Sequence, residues 1–166
     1  AGLGNVHVLR NPDDAAALRR AMQTAAAAVV IGGGYIGLEA AASFCKAGLN
    51  VHVVEAADRL LARVARPDMS AFFLDLHQRY GVLIHTGMTG TKINHNDGIF
   101  TGITLDTGQQ ISANFLLVGI GVAPDSVLAD AAGAAIGNGI LVDRQMRSTI
   151  DDVYAIGDVA LMEGTV

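Results

Sequence analysis

The sequence predicts an α/β fold: a Rossmann-like parallel sheet built from β-α-β units, with helices on its faces, joined to a three-stranded antiparallel β-meander. A short β-branched run enters three consecutive glycines that open a helix, and a second strand follows at the crossover length that parallel pairing requires. A further helix and strand repeat that order. Residues 89–112 then change to a period of two interrupted by turn residues, which is typical of hairpins.

The first half of the chain predicts alternating strands and helices. Residues 5–9 alternate like a short strand, and Asn11-Pro12-Asp13-Asp14 combines the cap, proline and acids of a helix start, so a helix to about Gln23 is expected. The elements that follow are a strand at 28–31, a helix at 36–46 ending at Gly48, a strand at Asn50–Glu55, a helix at 67–80 ending at Gly81, and a strand at 82–84.

The second half of the chain is predicted to be mostly β-structure. Strands are expected at 91–94, 100–105 and 109–112, separated by the turn sequences Asn96-Asp97-Gly98 and Asp106-Thr107-Gly108. Phe115–Val118 is a fully apolar run, typical of a central parallel strand. Two further short strands are predicted at 140–142 and 153–156.

The composition predicts one well-buried soluble domain. The 166 residues are 51% hydrophobic and 16% charged, and the mean hydropathy is +0.41, which excludes a disordered acidic or basic tail. A membrane-spanning helix needs about 18 consecutive apolar residues, and no apolar run in the sequence is close to that length. The net charge of −5 and the dispersed basic residues argue against a nucleic-acid or membrane surface. The expected partners are small molecules or proteins.

Further expectations concern metal, redox chemistry and location. The single cysteine, Cys45, excludes an internal disulfide, fits a reducing cytoplasmic compartment and is expected to be buried packing rather than a redox group. His7, His52, His85 and His95 show no metal-ligand spacing, so no metal is predicted. No signal peptide is visible, and the first residue is not Met, which fits a processed or excised chain.

The glycine cluster is the first functional signal. Gly32-x-Gly34-x-x-Gly37 follows a strand and opens a helix, as a dinucleotide-binding fingerprint must. Gly32 permits the tight turn, Gly34 lets a pyrophosphate approach the backbone, and Gly37 allows the helix to pack closely on the strand. The free amides and positive dipole end of that helix then face the pyrophosphate. We therefore predict a bound dinucleotide.

Glu55 is the second functional signal, because it ends the second strand at the offset of about 20 residues expected for a ribose-binding acid. A carboxylate accepts hydrogen bonds from ribose hydroxyls and repels a 2'-phosphate, so NADH is predicted over NADPH. Arg59 and Arg63 oppose that preference, since a nearby guanidinium can hold a 2'-phosphate. The alternative interpretation is an ordinary strand-to-helix turn with a solvated acid at a strand end.

Several stretches of the chain carry a resemblance to a known family. They are VVIGGGYIGLE at 29–39, VEAADRLLAR at 54–63, then Pro67, Ser70, Phe72, Phe73, His77 and 81–82, followed by VGIGVAP at 118–124, NGILVD at 138–143 and TIDDVYAIGD at 149–158. They resemble the nicotinamide-binding domain of the FAD-dependent pyridine nucleotide-disulfide oxidoreductases, most of all the ferredoxin, putidaredoxin and rubredoxin reductases. The resemblance covers nearly the whole chain.

The resemblance implies contacts along the whole NADH molecule. Gly34, Tyr35 and Ile36 would follow the pyrophosphate and the nicotinamide side, Arg63 would lie near the adenine half, and the turn at 118–121 would pass under the cofactor. The complete set implied for NADH is Gly32, Gly34, Tyr35, Ile36, Gly37, Glu39, Glu55, Arg63, Val118, Gly119, Ile120 and Gly121.

Glu39 is implied to face the nicotinamide carboxamide near the flavin. From the residues alone, it would be interpreted as an acid in the first turn of a helix, stabilised by the helix dipole by about 0.3–1 kcal/mol. No side chain needs to act as a general acid or base in hydride transfer between cofactors, so no catalytic residue is predicted beyond this positioning role.

The YAIGD sequence at 154–158 resembles the family's flavin motif, in which Gly157 and Asp158 would contact the ribityl chain of FAD. The implied organisation is a connecting strand and helix from the FAD domain at 1–24, an NAD(H)-binding domain at 25–145, and a return segment carrying part of the FAD motif at 146–166. These residues are too few to complete such a flavoenzyme, so the chain is not expected to be active alone.

The resemblance implies the NADH-binding domain of an FAD-dependent reductase that passes hydride from NADH to flavin and electrons to an iron–sulfur ferredoxin or to rubredoxin. Two alternatives stay open. One is the same domain of a disulfide reductase, NADH oxidase or nitrite reductase, whose redox cysteines usually lie in the flavin domain. The other is a stand-alone dinucleotide-binding module without turnover.

Overall fold

The computed structural model describes residues 3–162, which divide between two units, Ala1–Gly121 and Val122–Val166. The first unit contains β1 (Val6–His7), α1 (Pro12–Thr24), β2 (Ala27–Ile31), α2 (Tyr35–Lys46), β3 (Asn50–Glu55), α3 (Pro67–Arg79), β4 (Leu83–Thr86), β5 (Gly90–Asn96), β6 (Ile99–Leu105), β7 (Gln110–Ser112) and β8 (Phe115–Val118). The second contains α4 (Val127–Ala131), β9 (Ile136–Gly137), β10 (Gly139–Val142) and β11 (Ala160–Met162).

Helix α1 begins where its sequence predicts. The amide of Asp14 donates to the side chain of Asn11 at 2.9 Å, and the Asp14 carboxylate accepts from the amide of Asn11 at 3.1 Å. This reciprocal capping box satisfies amides that have no partner within the helix, and Pro12 occupies the first turn, where its missing N–H costs nothing. The helix turns Leu18 into the core.

The five-stranded sheet has the order β1-β8-β2-β3-β4, and every neighbouring pair is parallel. Because side chains alternate along a strand, Ala28 and Val30 of β2 join Phe44 of α2 in one core, while Val29 joins Phe100 in another. The antiparallel meander β5-β6-β7 supplies Phe100 and therefore covers the face opposite α2. The predicted fold class is confirmed.

The second unit contains a sheet in the order β11-β10-β9, with β10 parallel to β11 and antiparallel to β9. The predicted strand at 153–156 is wrong, since Tyr154 forms only an isolated bridge to Arg147. Gly157, at a φ of +74°, begins a short 3-10 turn directly after this run. The strand that pairs with β10 comes after that turn, as β11. None of α4, β9 and β11 was predicted, because each is only two to five residues long.

Among residues 3–162, none of the helices has the length and apolar character that a membrane crossing needs. In the same residues, no three His, Cys, Asp or Glu side chains meet as a metal site. Cys45 is half-buried against the core that contains Phe44, and its thiol donates to the carbonyl of Tyr80 at 2.7 Å.

Phe100→Ala tests the layer between the sheet and the meander. Phe100 is 2% exposed, so removing its ring leaves a cavity, and we expect the free energy of unfolding to fall by about 3–5 kcal/mol in urea titrations. Phe72→Ala is the control, because Phe72 is 55% exposed. Its free energy of unfolding should fall by less than about 1 kcal/mol. Equal losses in the two variants would contradict this layered core.

Acid is expected to destabilise the first unit through His52 and His85, whose rings lie end to end with 3.0 Å between Nδ1 and Nε2. Burial lowers the pKa of both imidazoles below 6.5, and the neighbouring His85 lowers the pKa of His52 further. A lowered folded-state pKa means that the unfolded chain binds protons more readily. The two neutral histidines therefore contribute to the free energy of unfolding above pH 6.5. That contribution is lost as the pH falls through and below this value.

Urea titrations between neutral pH and pH 5 measure this acid dependence. His85→Gln should flatten it, because the variant removes one titrating ring and the charge repulsion on the other. His95→Gln is the matched control, since His95 lies exposed on β5. The interpretation fails if both variants keep the acid dependence of the unmodified chain.

Candidate functional site

Loops from three neighbouring strands meet at the carboxyl ends of β2, β3 and β8. The amide of Gly32, after β2, donates to the carbonyl of Val54 in β3 at 2.8 Å. The amide of Gly119, after β8, donates to the carbonyl of Ile31 in β2, also at 2.8 Å. The strand order reverses at β2, because β3 lies on one side and β8 on the other. Ligands of open parallel sheets bind at such a switch point.

Gly32 and Gly37 allow these loops to approach closely. Gly32 has a φ of +110°, and a Cβ there would overlap the carbonyl of Gly119. A Cβ on Gly37 would overlap the carbonyl oxygen of Gly32. Both positions therefore exclude side chains, and α2 lies directly against the end of β2, as the fingerprint predicts.

Gly34 differs from these two glycines, because a Cβ on it would meet nothing within 4 Å. Its φ of −83° is open to any residue, and it precedes α2 without a side-chain cap on the helix. Gly34 therefore supplies no side-chain acceptor for the amides of the first turn of α2. The open space beside Gly34 and these donors together suit an anionic group such as a pyrophosphate.

Glu55, the last residue of β3, is held by two backbone amides. Its Oε2 accepts from Gly33 at 2.6 Å, and its Oε1 accepts from Ala57 at 2.8 Å. The side chain is half-buried. Each carboxylate oxygen can accept more than one hydrogen bond, so the carboxylate keeps acceptor capacity for ribose hydroxyls in a fixed orientation.

Gly33 is a site residue that the motif reasoning did not include, since the fingerprint allows any residue there. Its amide binds Glu55, its carbonyl accepts from Leu61 at 3.0 Å, and a Cβ would lie 2.7 Å from Leu60 Cδ2. The signal in the sequence was a glycine at this middle position of Gly32-Gly33-Gly34, where the motif does not require one.

Tyr35, Ile36 and Glu39 share the exposed face of α2, because residues three and four apart lie one above the other on a helix. The residues around them, Gly37 and Leu38, are buried. Glu39 is the fifth residue of α2 and lies in its second turn, so the interpretation as a first-turn acid is wrong. The helix begins one residue before the predicted start, which moves Glu39 further from its positive end.

The two arginines after β3 have different surroundings. Arg59 is half-buried and donates to three acceptors, the carbonyls of Ala62 and Ala65 and the hydroxyl of Ser70, each at 2.8 Å. Arg63 is exposed, and its Nη2 lies 3.5 Å from the carbonyl of Ile120. Only Arg63 therefore reaches the turn after β8.

The remaining predicted residues fall into two groups. Val118 and Gly119 are half-buried at the end of β8, and Ile120 and Gly121 continue as an exposed turn. Gly157 and Asp158 belong to the second unit, where both are exposed in the 3-10 turn Gly157–Val159. Asp158 therefore presents a carboxylate next to a glycine turn within that unit.

Within residues 3–162, the histidines whose pKa is lowered lie outside these loops. The histidines whose pKa is lowered by burial are His7, His52, His77 and His85, which lie in β1, β3, α3 and β4 and not in the loops. A cleft of about 520 Å³, lined by residues such as Thr24 and Asn114, shares no residue with these loops.

Known proteins match this chain over nearly its whole length. The model of the pyridine nucleotide-disulphide oxidoreductase family matches residues 1–166. Rhodocoxin reductase of Rhodococcus erythropolis is 44% identical over 161 residues, which are 96% of this chain and 38% of the relative. Rubredoxin-NAD(+) reductase of Pseudomonas putida is 39% identical over 159 residues, covering 96% of this chain and 41% of the relative.

A solved structure agrees with these matches. The ferredoxin reductase for the CYP199A2 system from Rhodopseudomonas palustris has a TM-score of 0.91 and 40% identity, covering 97% of this chain and 40% of that one. The chain thus spans 38–41% of the length of these three proteins. With a family match over every residue and a shared fold, the chain belongs to the pyridine nucleotide-disulphide oxidoreductase family.

Proposed function

We propose that this chain is the NADH-binding region of an FAD-dependent reductase that passes hydride from NADH to flavin and electrons to a ferredoxin-type or rubredoxin acceptor. The observation that carries the proposal is the joint placement of Gly34, Glu55 and Arg63 in the loops that follow neighbouring parallel strands. The names of rhodocoxin reductase, rubredoxin-NAD(+) reductase and the ferredoxin reductase support this class of acceptor over a disulfide.

The pyrophosphate of NADH would lie beside Gly34. The absence of any atom within 4 Å of a Cβ at this position leaves room for close approach to the backbone. The uncapped first turn of α2 supplies amide donors and the positive end of the helix dipole. Tyr35 and Ile36 follow on the exposed face and would continue along the cofactor toward the nicotinamide.

The adenosine half would bind between Glu55 and Arg63. Glu55 would accept hydrogen bonds from the ribose hydroxyls, and its two bonds to backbone amides hold the carboxylate ready. A 2'-phosphate would meet that carboxylate at close range, which supports NADH over NADPH. Arg59 is half-buried and donates to three neutral acceptors, so Arg63 is the exposed arginine of the two that a 2'-phosphate would meet.

Glu39 would orient the nicotinamide end, and the turn from Val118 to Gly121 would support the cofactor from below. Bound FAD would supply the acceptor for the hydride and release the two electrons in single steps. In this scheme the residues of the chain bind and orient NADH, and none of them has to donate or accept a proton.

Gly157 and Asp158 are proposed to contact the ribityl chain of that FAD. An exposed carboxylate beside a glycine turn can accept a hydroxyl and allows close approach of the backbone. The proposed organisation is that of the sequence interpretation, with residues 25–145 binding NAD(H) and 146–166 returning to the flavin. A location in the cytoplasm belongs to the same proposal.

Gly34→Ala separates cofactor binding from folding. A methyl group in this open space at an ordinary φ should change the free energy of unfolding by less than about 1 kcal/mol, yet it would occupy the approach to the pyrophosphate. We expect the Kd for NADH, measured by fluorescence titration, to rise at least about tenfold, or 1.4 kcal/mol.

Gly90→Ala is the matched control for Gly34→Ala, because a Cβ at Gly90 of β5 meets only ordinary contacts at 3.8 Å. Its affinity for NADH should equal that of the unmodified chain. A second control uses AMP, which has no pyrophosphate and should bind both variants equally. Unchanged NADH affinity in Gly34→Ala would argue against the proposed position of the pyrophosphate.

Glu55→Gln tests the ribose contact and the nucleotide preference together. The amide cannot accept from Gly33 and Ala57 at once, and hydrogen bonds to charged groups contribute about 1.5–3 kcal/mol. The Kd for NADH should therefore rise about tenfold or more, while the preference for NADH over NADPH decreases. Isothermal titration calorimetry with both nucleotides measures the two effects.

Asp75→Asn serves as the control for Glu55→Gln, since it removes an exposed carboxylate of α3 that pairs with Arg79. Neither nucleotide should change its affinity for that variant. If the unmodified chain binds NADPH as tightly as NADH, the proposed preference is wrong even when the ribose contact is correct.

A further inference from the structure

The segment that carries Arg63 has no regular secondary structure. It connects β3 to α3 and comprises residues 56–66, called here the Arg63 loop. Leu61 in this loop has a φ of +54°, and the amides of Val64 and Ala65 donate to its carbonyl at 3.0 and 2.9 Å. The loop is therefore a tight turn that needs other contacts to keep its position.

The guanidinium of Arg59 supplies those contacts from inside the turn. Nη2 donates to the carbonyl of Ala62, and Nη1 donates to the carbonyl of Ala65 and to Ser70 Oγ, each at 2.8 Å. Ala62 and Ala65 lie on either side of Arg63 in the chain. The planar fork of Arg59 thus fixes the backbone on both sides of the residue that reaches the cofactor surface.

Ser70 ties this turn to helix α3. Its side chain is the buried polar one among residues 3–162, with 3% of the residue exposed. Its hydroxyl accepts from Arg59 and donates to the carbonyl of Leu60 at 2.7 Å. A buried hydroxyl with both functions used costs little in desolvation and favours a single arrangement of its neighbours.

The fixed loop also contacts the glycine loop. The amide of Leu61 donates to the carbonyl of Gly33 at 3.0 Å, and Leu60 and Leu61 pack with Leu38 of α2 in a small buried cluster. Arg63 itself has only the long contact of 3.5 Å to Ile120 in the described part of the chain. The position from which its side chain extends is therefore set by the backbone that carries it.

We propose that Arg59, held by Ser70, is a positioning residue for the adenosine half of the dinucleotide: it fixes the Arg63 loop so that the Arg63 guanidinium meets the ligand already oriented. This inference rests on the proposed function of the site. A lysine cannot replace Arg59, because a single ammonium cannot present a planar fork to three acceptors in different directions. Ordering a flexible segment when a ligand binds costs conformational entropy, and a loop that is already fixed avoids part of that cost.

The test is a double-mutant cycle in the 166-residue chain with ADP-ribose, which contains the adenosine half and the pyrophosphate. Arg59→Lys should raise the Kd for ADP-ribose about three- to tenfold. Arg63→Met should also raise it, and adding Arg59→Lys to Arg63→Met should change it by less than about twofold, because the group that Arg59 orients is then absent. Ser70→Ala should also raise the Kd for ADP-ribose, although it keeps the Arg59 guanidinium. It can replace Arg59→Lys in the cycle if that variant does not fold.

A purely structural role would give a different result. Arg59→Lys would then raise the Kd for ADP-ribose by the same factor in the unmodified chain and in Arg63→Met. This additive outcome would overturn the proposal. Unchanged affinity in both Arg59→Lys and Ser70→Ala, or in Arg63→Met, would overturn it as well. Arg79→Lys is the matched control, because Arg79 is exposed on α3 and paired with Asp75. Absence of ADP-ribose and NADH binding in the unmodified chain would reject the proposed function itself.

Discussion

The close backbone contact of Gly32 with Gly37 and Gly119 is the constraint on which the site depends. A side chain at Gly32 or Gly37 would overlap a carbonyl of the facing loop, so only glycine lets α2 begin directly over the end of β2. This contact brings the first-turn amides of α2 to the carboxyl edge of the sheet. It also leaves Gly34 as the one glycine of the fingerprint that faces open space, where a ligand can use the room.

Each loop of the site is fixed by its neighbours rather than by its own structure. Gly33 binds Glu55 through its amide and the Arg63 loop through its carbonyl, so a single residue connects the ends of β2 and β3. Glu55, the glycine loop and the Arg63 loop therefore share one network of hydrogen bonds to backbone groups. Such a network holds the loops in one arrangement before any ligand arrives, which suits the proposed role of the chain in orienting NADH.

The sequence predicted the features that depend on local pattern. The Asn11 cap of α1, the glycine fingerprint and the period of two in the meander each depend on residues a few positions apart, and the structure contains all three. Contacts between distant segments could not be predicted in this way. The run at 153–156 has residues that favour strands. Both edges of β10 are already paired, with β9 and β11, so the run does not join that sheet.

The site shows the same limit of prediction. Glu55 was identified from its spacing, whereas its bonds to Gly33 and Ala57 depend on how β3 meets the glycine loop. Ser70 has no local signal, because a serine in the first turn of a helix is ordinary until Arg59 is found beside it.

Arg59 and Arg63 differ in their exposure and hydrogen bonds, and this difference affects how strongly each would attract a 2'-phosphate. By sequence alone, Arg59 and Arg63 both count as cations that could attract a 2'-phosphate. Arg59 keeps its charge, but three of its N–H groups donate to two carbonyls of the Arg63 loop and to Ser70 of α3, which turns its guanidinium toward these acceptors. One exposed guanidinium, on the side of Ile120, then remains against one fixed carboxylate at the end of β3. The Glu55 carboxylate is held by two amides, so in the proposed complex it would face a 2'-phosphate at close range, and this repulsion is the basis on which NADH is proposed over NADPH.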